Sequence, residues 1–315
     1  YLVQHLIDKG LKVRVMARST ANLPEIFHHK DVDVMQGNVT NPRDVEVAIG
    51  DVKRVVNLAH GGGGSDREAI KNAMVGSAEL VGEACLKAKV KHLVFISSIA
   101  ALYLGDEGDI IKPDTPVDEF GQKRNDYAWA KGLAEKALLR LHREQGLNVS
   151  IQRPGLVVGQ GTPPFHSGLG FFNNEQHCIG WNEGKNPLPF VLAEDTASAI
   201  VAAVMRDDLG GRTDNIVGDV RMSARQYYVH LQHLMVRPLE YHPQKPWVLQ
   251  LSELIKWVVK RIGGRHVPVP PYRDILSRGL NAQFDCNETK VKLDWHPNKD
   301  EAYFLKNIVD AKGQD

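Results

Sequence analysis

The feature that most constrains the fold is an alternation of short β-branched runs with longer helical stretches through the first half of the chain. Residues 11–18 alternate apolar and polar side chains in the run Leu11-Lys12-Val13-Arg14-Val15-Met16-Ala17-Arg18, the pattern of a strand. Residues 32–38, 54–59, 90–98 and 147–154 are further runs of strand character. Helical segments lie between them. Leu2, Val3, Leu6 and Ile7 share helical spacing ahead of Gly10. Asn41 suits an N-cap with Pro42 at the first helical position of a segment through Ile49, and residues 68–88 form a long helical stretch. Strands joined through helices of this length run parallel, because a parallel connection needs a crossover. The expectation is an α/β fold, a Rossmann-like doubly wound parallel sheet.

Beyond Gly159 the texture changes. Gly, Pro, Asn and aromatic residues dominate 160–189, which reads as a long ordered loop over a site. A helix is expected at 193–205, a short strand at 215–218, and helices at 224–235, 247–262, 287–293 and 301–310. The resulting division gives a dinucleotide-binding domain over 1–159, to which 190–220 return, and a smaller C-terminal substrate lobe built mainly from 160–189 and 221–315. The chain opens on Tyr1, inside a stretch of helical pattern, so its true start is expected upstream.

The totals exclude several classes. A net charge of +1 implies no general attraction to nucleic acid. Cys85, Cys178 and Cys286 are far apart and odd in number, so neither a disulfide framework nor a metal-ligand spacing is visible, which fits the cytoplasm. No apolar run is long enough to span a membrane. Residues 247–262 are amphipathic and carry Lys256, Lys260 and Arg261, a pattern that allows peripheral membrane association. A lid or lobe helix packed on the core is the preferred reading.

In an open parallel sheet, ligands bind beyond the carboxyl ends of the strands. The unusual residues of this chain cluster at those ends: Arg18, Asn38, Ala59-His60, Ser97-Ser98 and Arg153-Pro154. The run Asn125-Asp126-Tyr127-Ala128-Trp129-Ala130-Lys131 follows, rich in helix formers. Tyr127 and Lys131 are four apart and share a helix face. An ammonium beside a phenol favours the phenolate, so Lys131 is expected to lower the Tyr127 pKa and make it a proton shuttle.

Together these motifs resemble the extended short-chain dehydrogenase/reductases, of the NAD-dependent epimerase/dehydratase type. The matching stretches are Phe95-Ile96-Ser97-Ser98-Ile99-Ala100, Tyr127 with Lys131, Arg153-Pro154-Gly155-Leu156-Val157-Val158-Gly159, residues 190–197 and Leu293-Asp294-Trp295-His296-Pro297. The resemblance implies Tyr127 as acid/base, Lys131 as its partner and a holder of the nicotinamide ribose, and Ser98 as the hydroxyl on the reacting substrate oxygen. It implies cofactor contacts from Arg18, Asn38, Val39, Leu58, Ala59, His60, Ser97, Pro154 and Val157. His166 and Asn173 lie where the family's substrate lobe begins and are substrate candidates. Arg18, with Arg14 earlier on the same face, leans the NAD(P) cofactor toward NADP. The family's glycine-rich phosphate loop is missing from the sequence, and Ala73 stands where the family often has Asn. Gly61–Gly64 lack the Lys-Ser/Thr of a phosphate loop and read as a flexible loop beside the cofactor.

Three functions are then in view. The first is a nucleotide-sugar oxidoreductase or epimerase, for whose diphosphate Arg212, Arg221, Arg225 and Arg278 are candidates. The second is a reductase or dehydrogenase of an apolar alcohol or ketone, similar to 3β-hydroxysteroid dehydrogenases and dihydroflavonol reductases. The third is a non-catalytic cofactor-sensing regulator. The substrate is a small molecule in the first two, and a homodimer is compatible with all three.

Overall fold

The computed structural model describes residues 1–59, 67–173, 176–235, 239–265 and 267–308. The chain opens on α1 (Leu2–Asp8) and runs through β1 (Val13–Ala17) and β2 (Val32–Gln36). Helix α2 (Pro42–Ile49) leads to β3 (Arg54–Asn57), and α3 (Arg67–Lys87) to β4 (His92–Ile96). A short β5 (Ile110–Ile111) precedes α4 (Asp126–Gln145), β6 (Val149–Pro154) and β7 (Leu156–Val158). Then come β8 (Gly170–Phe172), β9 (His177–Gly180), β10 (Phe190–Leu192), α5 (Ala193–Val204), β11 (Thr213–Ile216) and α6 (Ala224–Met235). The chain closes with β12 (Glu240–His242), α7 (Pro246–Ile262), α8 (Tyr272–Arg278), β13 (Gln283–Phe284), α9 (Asn287–Leu293) and α10 (Glu301–Asn307).

The expected parallel sheet is present, in order β11-β6-β4-β3, with Val94 opposite Ser150 and Val56 in the central registers. Strands β1 and β2 pair in parallel with each other and form a separate sheet. The break falls between β1 and β3, where a Rossmann strand order of 3-2-1-4-5-6 has its first strand. Strands β4 and β6 are buried along their whole length, as a sheet covered on both faces requires. On one side α3 and α4 pack through Val81, Cys85, Leu138 and Leu141. Gly82 permits that approach, since a Cβ there would lie 2.8 Å from Leu141 Cδ1. On the other, α5 packs Ala199, Ile200 and Ala203 against Val94 and Ile216.

Helix termini follow their sequence signals. The Asn41 side chain accepts from the Arg43 N–H at the start of α2, and Asn125 accepts from the Ala128 N–H at the start of α4. Gly146 ends α4 in the left-handed region at φ 75°.

Three expectations are corrected. Residues 160–189 are not one loop: β8 and β9 form an antiparallel pair, β12 adds to β9 in parallel, and β10 pairs with β7. These strands are three or four residues long, too short to leave a period-two signature. The strand expected at 215–218 lies two residues earlier, at β11, fixed by its ladder to β6. Helix α7 is not packed on the core, because none of its residues is buried.

Candidate active site

The site is built where β4 ends. Strand alternation sends the two serines that follow to opposite sides. Ser97 is buried and its hydroxyl donates to Glu135 of α4. Glu135 in turn forms a bidentate pair with Arg153 of β6, at 2.7 Å in its shortest contact. Arg153 also donates to the Thr115 carbonyl at 2.8 Å. A side-chain role for Ser97 toward a cofactor is therefore not what this geometry offers: its hydroxyl belongs to a buried network between α4 and the sheet. Ser98 faces the other way. Its Oγ accepts from the Ala100 N–H at 3.1 Å, and its hydroxyl lies near enough to Tyr127 to favour the ionised phenol.

Tyr127 occupies the first turn of α4 and is 44% exposed. Lys131, one turn on, is buried; its Nζ donates to the Ile96 carbonyl at 2.8 Å and stands 5.9 Å from the Tyr127 ring centroid. The electrostatics differ from the sequence expectation. Burial pushes the Tyr127 phenol up, and Ser98 beside it only partly opposes this. Burial also pulls the Lys131 amine down to about 8, against the pull of Glu135. Lys131 does not lower the Tyr127 pKa here, because its ammonium is directed at a backbone carbonyl and faces the ring rather than the oxygen.

The turn that presents Tyr127 is gripped from the lobe. The N–H and Nδ2 of Asn125 both donate to Asp274 Oδ1 of α8, each at 2.9 Å. The preceding Arg124 is buried, donating to Asp274 at 3.3 Å, to Asp118 at 3.0 Å and to the Leu102 carbonyl at 2.8 Å. Arg273 completes Asp118 and Arg278 completes Asp274, at 2.8 and 2.7 Å. Burial raises both carboxyls, but the arginines outweigh it and hold them below the usual range. Neither Asp274 nor Arg124 was singled out from the sequence. Glu135 could have been, since it continues the Tyr127 and Lys131 face at four-residue spacing.

The strand ends toward a cofactor are mostly open. Arg18 is exposed past β1, its carbonyl accepting from Gln36 Nε2 at 3.1 Å. Arg14 does not join it: Asp33 and Asp51 hold its guanidinium at 2.9 and 2.6 Å. Four residues of strand separate the two by about 13 Å, so the pairing used to favour NADP is lost. Asn38 caps a turn, its N–H donating to Asp44 and its Oδ1 accepting from Thr40, while Val39 is buried in the core beneath. Leu58 and Ala59 are exposed past β3. Asn57 before them accepts from the Ala59 N–H at 3.0 Å, and its buried Nδ2 has no hydrogen-bond partner among the described residues. Pro154 is buried and Val157 half-buried at the end of β6 and in β7. Open strand ends with a spare donor fit a dinucleotide. His60 and Gly61–Gly64 lie outside the described residues.

In the lobe, His166 Nδ1 accepts from the Gly168 N–H at 3.0 Å, and burial lowers the ring's pKa. Asn173 is exposed at the β8–β9 turn, its N–H donating to the His177 carbonyl at 3.1 Å. Among the described residues no hydrogen bond joins either to Ser98, Tyr127 or Lys131. No metal-ligand spacing was visible in the sequence, yet the pairing of β12 with β9 gathers His177, Glu240 and His242, with the two imidazoles 3.0 Å apart. A 430 Å³ recess lies behind α4, lined by Thr115, Lys136, Leu139, Arg153 and Arg212, away from Tyr127.

Comparison with known proteins bears on this geometry. The sequence model described as NAD dependent epimerase/dehydratase family matches residues 1–217. Anthocyanidin reductase of Arabidopsis thaliana is 24% identical over 239 residues, covering 67% of this chain and 70% of that protein. Cinnamoyl-CoA reductase 2 of Arabidopsis thaliana is 26% identical over 180 residues, covering 54% of this chain and 53% of that one, so the match spans about half of that relative. Among solved structures, gox2253 superposes with a TM-score of 0.75 at 20% identity, covering 99% of this chain and 93% of the other. UDP-glucuronic acid 4-epimerase from Bacillus cereus, in complex with UDP-glucuronic acid and NAD, gives 0.71 at 16% identity, with 98% and 93% covered. At these identities the superpositions speak for the fold.

Proposed function

The chain belongs to the NAD dependent epimerase/dehydratase family, and from that premise we propose that it reduces a carbonyl group on a largely apolar small molecule. It is an NAD(P)-dependent enzyme of the extended short-chain dehydrogenase/reductase type. The observation that carries the reading is the Ser98–Tyr127 pair, with a phenol that its surroundings keep protonated. A protonated phenol is suited to give a proton to a carbonyl oxygen, which is the reductive direction.

The nicotinamide, when bound, supplies the hydride. The chain's own groups handle the oxygen. The Ser98 hydroxyl holds it, and Tyr127 Oη transfers its proton to it as the carbonyl becomes an alcohol. Lys131, charged at neutral pH with its amine at about 8, is the group that would hold the nicotinamide ribose; in this geometry it does not act on the phenol. Arg18, Asn57, Leu58 and Ala59 line the dinucleotide side. NADP is favoured only by Arg18.

The substrate class rests on the lobe. Arg212 is paired with Asp214 and Glu288, Arg278 with Asp274, and Arg225 donates to the Glu183 carbonyl. Of the four arginines suited to a diphosphate, that leaves Arg221. Aromatic side chains instead fill the lobe, with Phe165 edge-on to Phe172 and Phe172 stacked on Tyr228. The two curated relatives named above carry reductase names, which supports the same reading. A nucleotide sugar is the second reading, resting on exposed Arg221. The three thiols are buried and free, which suits a cytoplasmic setting.

The test supplies NADH or NADPH with aromatic and alkyl carbonyl compounds and, separately, with UDP-sugars, and follows cofactor oxidation and epimer formation. Oxidation with the apolar carbonyls is expected. Turnover confined to UDP-sugars overturns the substrate class.

A further inference from the structure

Helix α7 takes no part in the site. Six large apolar residues, Trp247, Leu251, Ile255, Val258, Val259 and Ile262, are between 44 and 82% exposed. At 100° per residue they fall within one arc of about 120°. The helix is tethered by its opposite side: Trp257 Nε1 donates to the Val267 carbonyl and Gln250 Nε2 to the Pro270 carbonyl, both at 2.8 Å. The apolar arc therefore faces away from the protein's own attachment. Val269 and Tyr272 on the strap that follows are also exposed. A contiguous apolar surface of this kind marks an interaction site.

Charge selects the occupant. Lys256, Lys260, Arg261 and Arg265 are exposed at the C-terminal half, with Lys245 at the start. The helix carries one carboxylate, Glu253, which pairs with Lys256 at 2.8 Å. A second copy docked through the same face would bring one cationic helix against another, with a single, already paired carboxylate on each to answer the charge. Anionic lipid headgroups accept these cations while the apolar arc enters the acyl boundary. Among the described residues no helix is long and apolar enough to cross a membrane, so α7 lies on the surface rather than through it. We propose that α7 is a peripheral docking helix that seats the protein on an anionic lipid bilayer.

The test is co-sedimentation of the protein with phosphatidylcholine vesicles made with and without phosphatidylserine, at low and high salt, with no cofactor or substrate present. The readout is thus separate from the proposed reaction. Wild type is expected to sediment with the phosphatidylserine vesicles and to be released by salt. Lys260→Gln and Arg261→Gln each lower binding about five-fold. The double variant Ile255→Ser/Val259→Ser lowers it by on the order of tenfold or more. All four side chains are exposed, and unchanged far-UV dichroism confirms that the variants fold. Wild type that stays in the supernatant with both vesicles overturns the proposal, as does binding unchanged by Ile255→Ser/Val259→Ser. So does light scattering that shows a wild-type dimer which the same double variant converts to monomer.

Discussion

Tyr127 is a phenol whose own surroundings keep its proton on. Its spacing to Lys131 was legible in the sequence, because four residues on a helix always share a face. What that spacing does electrostatically was not. The Ile96 carbonyl that takes the Lys131 ammonium is 35 residues away in sequence, brought in by the β4–α4 packing. The Ser97 hydroxyl is similarly diverted to Glu135, across 38 residues. Of two adjacent serines, only the fold decides which meets the tyrosine. A pH dependence follows from Lys131. Burial pulls its amine down to about 8, and the charge that would hold the nicotinamide ribose is present below that value and lost above it. The rate constant kcat/KM is expected to fall on the alkaline side with an apparent pKa near 8, about tenfold per pH unit. Lys131→Arg keeps its charge throughout and shifts that limb out of range. A wild-type profile level across the alkaline range contradicts this role.

At the level of elements, the grip of α8 on the start of α4 holds the site together. Arg124, Asp118, Asp274, Arg273 and Arg278 form one ion-pair network, and its link to Asn125 fixes the turn on which Tyr127 sits. Asp274→Ala leaves the buried Arg124 partly unpaired and removes the one oxygen to which both Asn125 donors bond. Breaking such a pair costs about 3–5 kcal/mol, to be read from urea unfolding, and the loosened turn lowers kcat as well. A variant with wild-type stability would show the network to be surface ornament. The helices were readable because their caps are local: α2 lies where Asn41 and Pro42 put it. The shortest strands were not, since β5 and β13 are two residues each and exist through pairing with one another across more than a hundred residues. The exposure of α7 was hidden for the opposite reason: an amphipathic pattern does not say whether protein or something else covers the apolar face.

At the scale of the whole molecule, strand ends far apart in sequence converge on one edge, and α8 returns to hold the start of α4 there. The alternation of strands and helices made that edge foreseeable, because a parallel sheet directs all its carboxyl ends one way. The chemistry of the edge is the claim to test. The most direct measurement is single-turnover reduction of an apolar carbonyl by wild type and Tyr127→Phe, with cofactor binding followed by its fluorescence. The account predicts unchanged cofactor binding, an intact fold and a rate lower by about 10²–10⁴-fold. A Tyr127→Phe rate equal to that of wild type would contradict it.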